Sequence, residues 1–278
     1  MAVTAQPAAA PGPAMAAAGG GGVPGHRLVG LFGAVCVLAG TAGVLIGIKG
    51  APKGTARTAG PGLRRRLALA RRVPGFPALL AGVVVQSVAT GGLTAGAPYF
   101  SEHILGDKTA TGLLVAVFVA PNLLTVRLWT RLGARVGHRA GYRWACAVFA
   151  TGCLLLFAAP ALPLPLVLPV MALAGAGHAG QLLFLYAMLQ ECIAGEGLRG
   201  AGVSSGLFTT CETLGLAVGP FLYCLVLALF GYASSGTGHA VTQSGTAREG
   251  ILVGIGLTPA VAAFAAAAVL GRGARERT

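Results

Sequence analysis

Residues 187–220 read AMLQECIAGEGLRGAGVSSGLFTTCETLGLAVGP, and this stretch decides the fold. It leaves an apolar helix at Gln190, makes a polar, glycine-rich crossing, and enters a second apolar helix that carries one acid, Glu212. Thr209, Thr213, Gly215 and Gly219 lie within about three turns of it at roughly 3.6 residues per turn. The spacing puts Thr209, Glu212 and Thr213 on one helix face. A carboxylate at the centre of a membrane helix costs on the order of 3 kcal/mol, so an acid placed there is read first as a functional group. The remainder of the chain reads as a scaffold for this segment.

Of the 278 residues, 55% are hydrophobic and 10% charged, with a mean hydropathy of +0.78. A soluble domain of this length needs far more charge to cover its surface. Several apolar runs reach the roughly 20 residues that a helix needs to cross a bilayer. The ten-residue alternation of barrel strands is absent. The expected fold is therefore an all-α integral membrane protein with about seven transmembrane helices. They fall at residues 28–48, 76–100, 109–130, 143–160, 165–189, 203–232 and 250–270. Residues 1–27 form an Ala/Gly/Pro-rich tail with too little apolar surface to fold, 49–75 a basic linker, and 271–278 a short tail. The run at 28–48 exceeds the usual signal-peptide core and lacks a small-residue cleavage pattern after it, so it reads as a retained span.

The net charge of +13 is a topology signal. Lys49 to Arg72, Arg127 to Arg143, Arg199 and Arg272 to Arg277 all fall on one side of the spans, leaving Arg27, Lys108 and Arg248 on the other. By the positive-inside rule the basic side is cytoplasmic, with the N-terminus outside and the C-terminus inside. No nucleic-acid partner is needed to explain this charge. RRRLALARR (residues 64–72) reads either as a plain linker or as a surface that binds anionic membrane lipids.

Other motifs resolve against catalysis. GAGHAG at 175–180 matches G-x-G-x-x-G, but no strand precedes it, so its small residues read as helix-packing positions and His178 as a helix contact. GVSSG at 202–206 matches G-x-S-x-G without the strand and base that a nucleophile elbow requires. The six cysteines show no C-x-x-C pair and read as small apolar fillers. No cofactor or metal site emerges. Gln86, Ser87 and Thr90 stand mid-span, where an amide must find a partner or a wet cavity. Gln86, Thr90 and Gln181 are thus candidate pathway residues beside Thr209, Glu212 and Thr213. In RLGARVGHRAGYR (131–143), Gly133, Gly137 and Gly141 suggest a tight turn between arginines. These are either solvated cytoplasmic charge or a gate, in which Arg131, Arg135, Arg139 and Arg199 pair with acids such as Glu191 on other loops. Glu212 is likewise open to two readings, a pathway acid or a latch paired with Arg135 or Arg199.

These three segments carry a resemblance. RLGARVGHRAGYR resembles the short basic turn between the second and third helices of a major facilitator half. QLLFLYAMLQECI is similar to the run before the next-to-last helix, with Gln190–Glu191 where Pro-Asp is usual. GLFTTCETLGLAVGP resembles a Gly-Leu-aromatic-Thr…Glu-Lys-Leu-Gly…Gly-Pro segment, with Thr213 replacing the lysine. Residues 76–270 thus resemble the C-terminal six-helix half of the glycoside–pentoside–hexuronide:cation symporters, and 28–48 the last helix of the N-terminal half. The resemblance implies a secondary transporter of a small-molecule or lipid-like solute coupled to a cation, Na+ or H+. It also implies that transport needs the N-terminal half or a homo-oligomer. The alternatives are a non-transporting membrane scaffold or a seven-helix receptor. The receptor reading lacks both an Asp-Arg-Tyr triplet after the third span and an Asn-Pro-x-x-Tyr in the last.

Overall fold

The computed structural model describes residues 31, 34, 35, 38, 41–43, 73, 75–107, 109–158, 162–196, 201–233 and 243–272. The chain divides into two compact units, Met1–Pro61 and Gly62–Thr278. In the first, the described residues between Leu31 and Gly43 are helical. The rest of the expected first span, and the 49–72 part of the basic linker, lie outside the described residues.

Among its described residues the second unit has only helices as regular structure. Its elements are α1 (Phe76–His103), α2 (Ala110–Val119), α3 (Pro121–Leu124), α4 (Val126–Val136), α5 (His138–Phe157), α6 (Leu164–Glu196), α7 (Ala201–Leu229), α8 (Gly245–Leu252) and α9 (Thr258–Arg272). A single π turn, Val253–Leu257, joins α8 to α9. Among the described residues, five helical runs are long and apolar enough to span a membrane, or six if the bent α2–α4 run counts as one. This is an all-α multi-pass membrane architecture. The last span starts earlier than expected, at Gly245, because Ser244 caps it by accepting a hydrogen bond from the Ala247 N–H (3.2 Å).

Two breaks have identifiable causes. The α2–α3 stretch and α4 meet at 51°. Pro121 contributes no N–H there, and the Thr125 hydroxyl takes the Pro121 carbonyl at 2.7 Å. Both weaken the ladder that would have run straight through. Between α4 and α5 the turn is one residue, Gly137, at φ 81° and ψ 160°, a region that side-chain-bearing residues rarely enter. The expected three-glycine turn is therefore corrected. Gly133 and Gly141 lie inside helices and receive the Phe184 ring; a Cβ on Gly133 would sit 2.7 Å from it.

Helix pairing follows the small residues. α1 packs mainly on α7 and α9, and α5 mainly on α6, with α9 also touching α5. At the α1–α7 crossing a Cβ on Gly91 would lie 2.7 Å from the Leu216 carbonyl, and one on Gly219 would lie 2.5 Å from the Val88 carbonyl. Gly215 meets the Ser87 side chain and Val84 carbonyl in the same way, at 2.6 and 2.7 Å. Where lipid replaces water, close packing of this kind is what holds helices together. The G-x-G-x-x-G glycines do the same on α6. Gly175 lies against the Phe118 backbone, Gly177 against the Phe149 backbone, and Gly180 against the Trp129 ring.

Gly219→Val is predicted to separate α1 from α7 and lower the melting temperature in detergent by several degrees, a cost of about 1–3 kcal/mol for overpacking. Gly202→Ala, where an added Cβ meets nothing within 4 Å, serves as the control and leaves the melting temperature unchanged. Equal thermal stability of the two variants would contradict this account of the crossing.

Candidate functional site

The candidate residues fall into three places along the helices. The first is mid-span between α1 and α6. Gln86 is 1% exposed and its Nε2 donates to Nδ1 of His178 at 3.0 Å. Thr90, one turn on, places Oγ1 3.3 Å from the same nitrogen and donates to the Gln86 carbonyl at 3.1 Å. The His178 ring stacks on Phe118 of α2 at 5.2 Å and 22°, with Phe149 of α5 at 6.4 Å. The amide oxygen of Gln86 is buried without a partner. His178, read from the sequence as a helix contact, is thus the centre of a polar cluster. Its signal was spacing: a histidine one turn before Gln181, among glycines that bring three helices close.

Gln181 does not join this cluster. It is fully buried, its Nε2 donates to the Cys146 thiol of α5 at 3.4 Å, and its oxygen has no partner. The helical repeat offsets it by about 60° from His178, enough for its amide to meet Cys146 of α5 while His178 meets Gln86 of α1.

The second place is on α7. Glu212 is half-buried rather than buried, and its carboxylate accepts a hydrogen bond from the Tyr186 hydroxyl of α6 at 3.0 Å. The Tyr186 ring leans on Phe208 at 5.1 Å. No arginine among the described residues reaches Glu212, and Arg199 lies outside them, so the latch to Arg135 is corrected to a tyrosine–carboxylate bond. Thr209 and Thr213 are exposed, with the Thr213 hydroxyl donating to the Thr209 carbonyl at 2.9 Å. Ser205, Gly206, Thr209, Thr210, Thr213 and Leu214 line an open groove of about 560 Å³ beside the acid. Tyr186 lies eight residues beyond His178, about 12 Å along α6 at 1.5 Å per residue. The groove and the histidine cluster are therefore separate centres.

The third place is the basic turn. Glu191, at the end of α6, pairs with His138 Nδ1 at 2.5 Å, both side chains well exposed. The expected pairing of Glu191 with an arginine is replaced by this one. Arg131, Arg135 and Arg139 form no ion pair with an acid among the described residues. The cause is geometric: α4 ends at Gly137, so Arg131 and Arg135 project from the outer face of α4 while His138, the first residue of α5, faces α6.

Among the described residues no group of three or more His, Cys, Asp or Glu side chains could hold a metal ion. What the arrangement offers is a carboxylate and hydroxyls on an open face, and a buried imidazole held by an amide.

Comparison with known proteins adds one match. A family model described as "MFS/sugar transport protein" covers residues 4–272. Among curated proteins, none matches the chain.

Gln181→Leu removes an unpartnered buried acceptor and a weak N–H···S contact, so it is predicted to leave the melting temperature unchanged or to raise it. A fall of more than about 2 kcal/mol in unfolding free energy would mean that Gln181 holds polar contacts beyond Cys146.

Proposed function

The chain belongs to the major facilitator family of MFS/sugar transport proteins, and from that premise we propose that it is a cation-coupled symporter whose solute pathway runs along α7. It is a multi-pass membrane transporter; the symport, the cation and the pathway are the proposal. One observation carries it. Glu212, Thr209 and Thr213 lie on a face of α7 that the described helices leave largely open, yet hydrocarbon is a costly place for a carboxylate. Such a face is satisfied when it borders a wet passage closed on its far side by protein. In transporters of this architecture the solute sits near the midplane between two helical bodies.

Under this reading a second helical body, an N-terminal half or another copy of the chain, faces α7. The solute is a sugar or a lipid-like molecule, whose hydroxyls suit the threonines and the carboxylate. Tyr186 fixes the Glu212 rotamer by donating to it, and the remaining carboxylate lone pairs are free for a solute hydroxyl. Gln86 and Thr90 act at the histidine cluster. Arg131, Arg135, Arg139, Arg199 and Glu191 border the cytoplasmic mouth, with the C-terminus on that side. None of these steps makes or breaks a covalent bond.

The test is uptake of labelled mono- and disaccharides, with a labelled lysophospholipid as the lipid-like arm, into vesicles holding the full chain. Glu212→Gln is expected to abolish uptake, or reduce it at least tenfold, while leaving the amount of protein in the membrane unchanged. Uptake at the wild-type rate in that variant would remove Glu212 from the pathway.

A further inference from the structure

The Gln86–Thr90–His178 cluster has features that helix packing alone does not require. A helix contact needs small or apolar groups, yet here an imidazole stacks on the Phe118 ring, with the Phe149 ring 6.4 Å away and tilted, and has one nitrogen held by an amide. Gln86 Nε2 is a donor, so the ring nitrogen it meets, Nδ1, is the acceptor, and the neutral ring carries its hydrogen on Nε2. His178 keeps 8% of its surface accessible, and its Nε2 has no protein partner and is not among the sealed polar atoms. Gln86 Oε1, by contrast, is sealed and unpaired. An unpaired amide oxygen costs about 1–3 kcal/mol; Gln181 carries one as well, and what sets Gln86 apart is that its amide meets a ring nitrogen able to change its protonation state.

We propose that His178 is the proton-binding site of this transporter, and that the Gln86 amide turns over to hold the ring in either protonation state. In the neutral state the amide N–H donates to Nδ1. When the ring takes one proton from water, one new N–H bond forms, both ring nitrogens become donors, and the ring gains a single positive charge. A half-turn of the amide then presents Oε1 to Nδ1–H, exchanging the Nε2 bonds to Nδ1 and Thr90 Oγ1 for one charge-assisted bond from the ring. Thr90 Oγ1 donates to the Gln86 backbone carbonyl and in the neutral state accepts from Gln86 Nε2 at 3.2 Å, which leaves one lone pair for the same hydrogen at 3.3 Å. The Phe118 face, 5.2 Å away and nearly parallel, suits a cation better than a neutral ring. Release of the proton to water reverses each step.

Among the described residues no other titrating group competes at the ring. α1 presents Gln86 and Thr90, α2 presents Phe118, and α5 presents Phe149. Of the thiols on α5, Cys146 takes Gln181 instead, and Cys153 is buried with no bond to the ring. On α7, Glu212 is engaged by Tyr186, two turns along α6. The proposal deepens the transport reading and rests on it, naming the proton as the coupling cation.

The experiment is a pH titration of the full chain in lipid nanodiscs with ring-labelled histidine, read by nuclear magnetic resonance. The His178 signal is assigned by its loss in His178→Asn and, independently, by its displacement in Thr90→Val. The expected result is a ring that becomes charged with a midpoint between about pH 4 and pH 7. Gln86→Leu is expected to move that midpoint down by about one unit, since the acceptor for the charged form is lost. A ring that stays neutral across the range, or a midpoint indifferent to Gln86→Leu, would overturn the proposal. Sugar uptake driven by Na+ alone with a silent ring would also overturn it while leaving transport intact. A titrating ring in a protein that moves no solute would uphold the site and remove the transport reading.

Discussion

The close approach of α1 and α7 is the constraint on which the other features depend. Gly91, Gly92, Gly215 and Gly219 bring the two backbones within contact of each other, so these helices meet along glycines instead of interlocked side chains. That spends one face of α7 on glycine and leaves another face for Thr209, Glu212 and Thr213. It also fixes the height of α1, and with it the level at which Gln86 and Thr90 meet His178 on α6. A bulky residue at the crossing would shift both polar centres at once, although neither touches it.

The same logic runs through the second helix group. Gly175, Gly177 and Gly180 seat α6 against Phe118, Phe149 and Trp129, and the Trp129 indole N–H donates to the Ala176 carbonyl at 2.8 Å. Phe118 is thereby held stacked on His178, with Phe149 tilted beside it. The bend at Thr125 lets one run cover α6 first with α2 and then, at a new angle, with the Trp129 side of α4, leaving Arg131 and Arg135 exposed. Backbone contact, a broken helix and a buried imidazole therefore belong to one arrangement, with chemistry placed where helices come nearest.

Much of this was legible in the sequence because it depends on local pattern. Span positions follow from apolar run length, and the basic turn from arginines interleaved with glycine. The Thr209–Glu212–Thr213 face follows from spacing on a single helix. Long-range partners were not legible. His178 and Gln86 are 92 residues apart, and which face of α6 meets α1 is set by the glycine contacts of three other helices. Gln181 seemed equivalent to Gln86 as a mid-span amide, but its side of α6 meets α5 and Cys146. The arginine–glutamate pairing failed similarly: charge complementarity names the candidates, and the one-residue turn at Gly137, with its positive φ, places His138 where it reaches Glu191. Glu212, expected as an acid within a membrane helix, is half-buried, and its contact on α6 is the Tyr186 hydroxyl.

The central claim is that the Glu212 face of α7 borders water within the membrane. The most direct measurement is modification of Thr213→Cys in sealed vesicles by a charged, membrane-impermeant thiosulfonate, read at residue 213 by peptide mass spectrometry so that the native cysteines do not interfere. The account predicts modification at residue 213, slowed when a transported solute is present. Reaction with a lipid-soluble maleimide but not with the charged reagent would place this face in hydrocarbon and contradict the account.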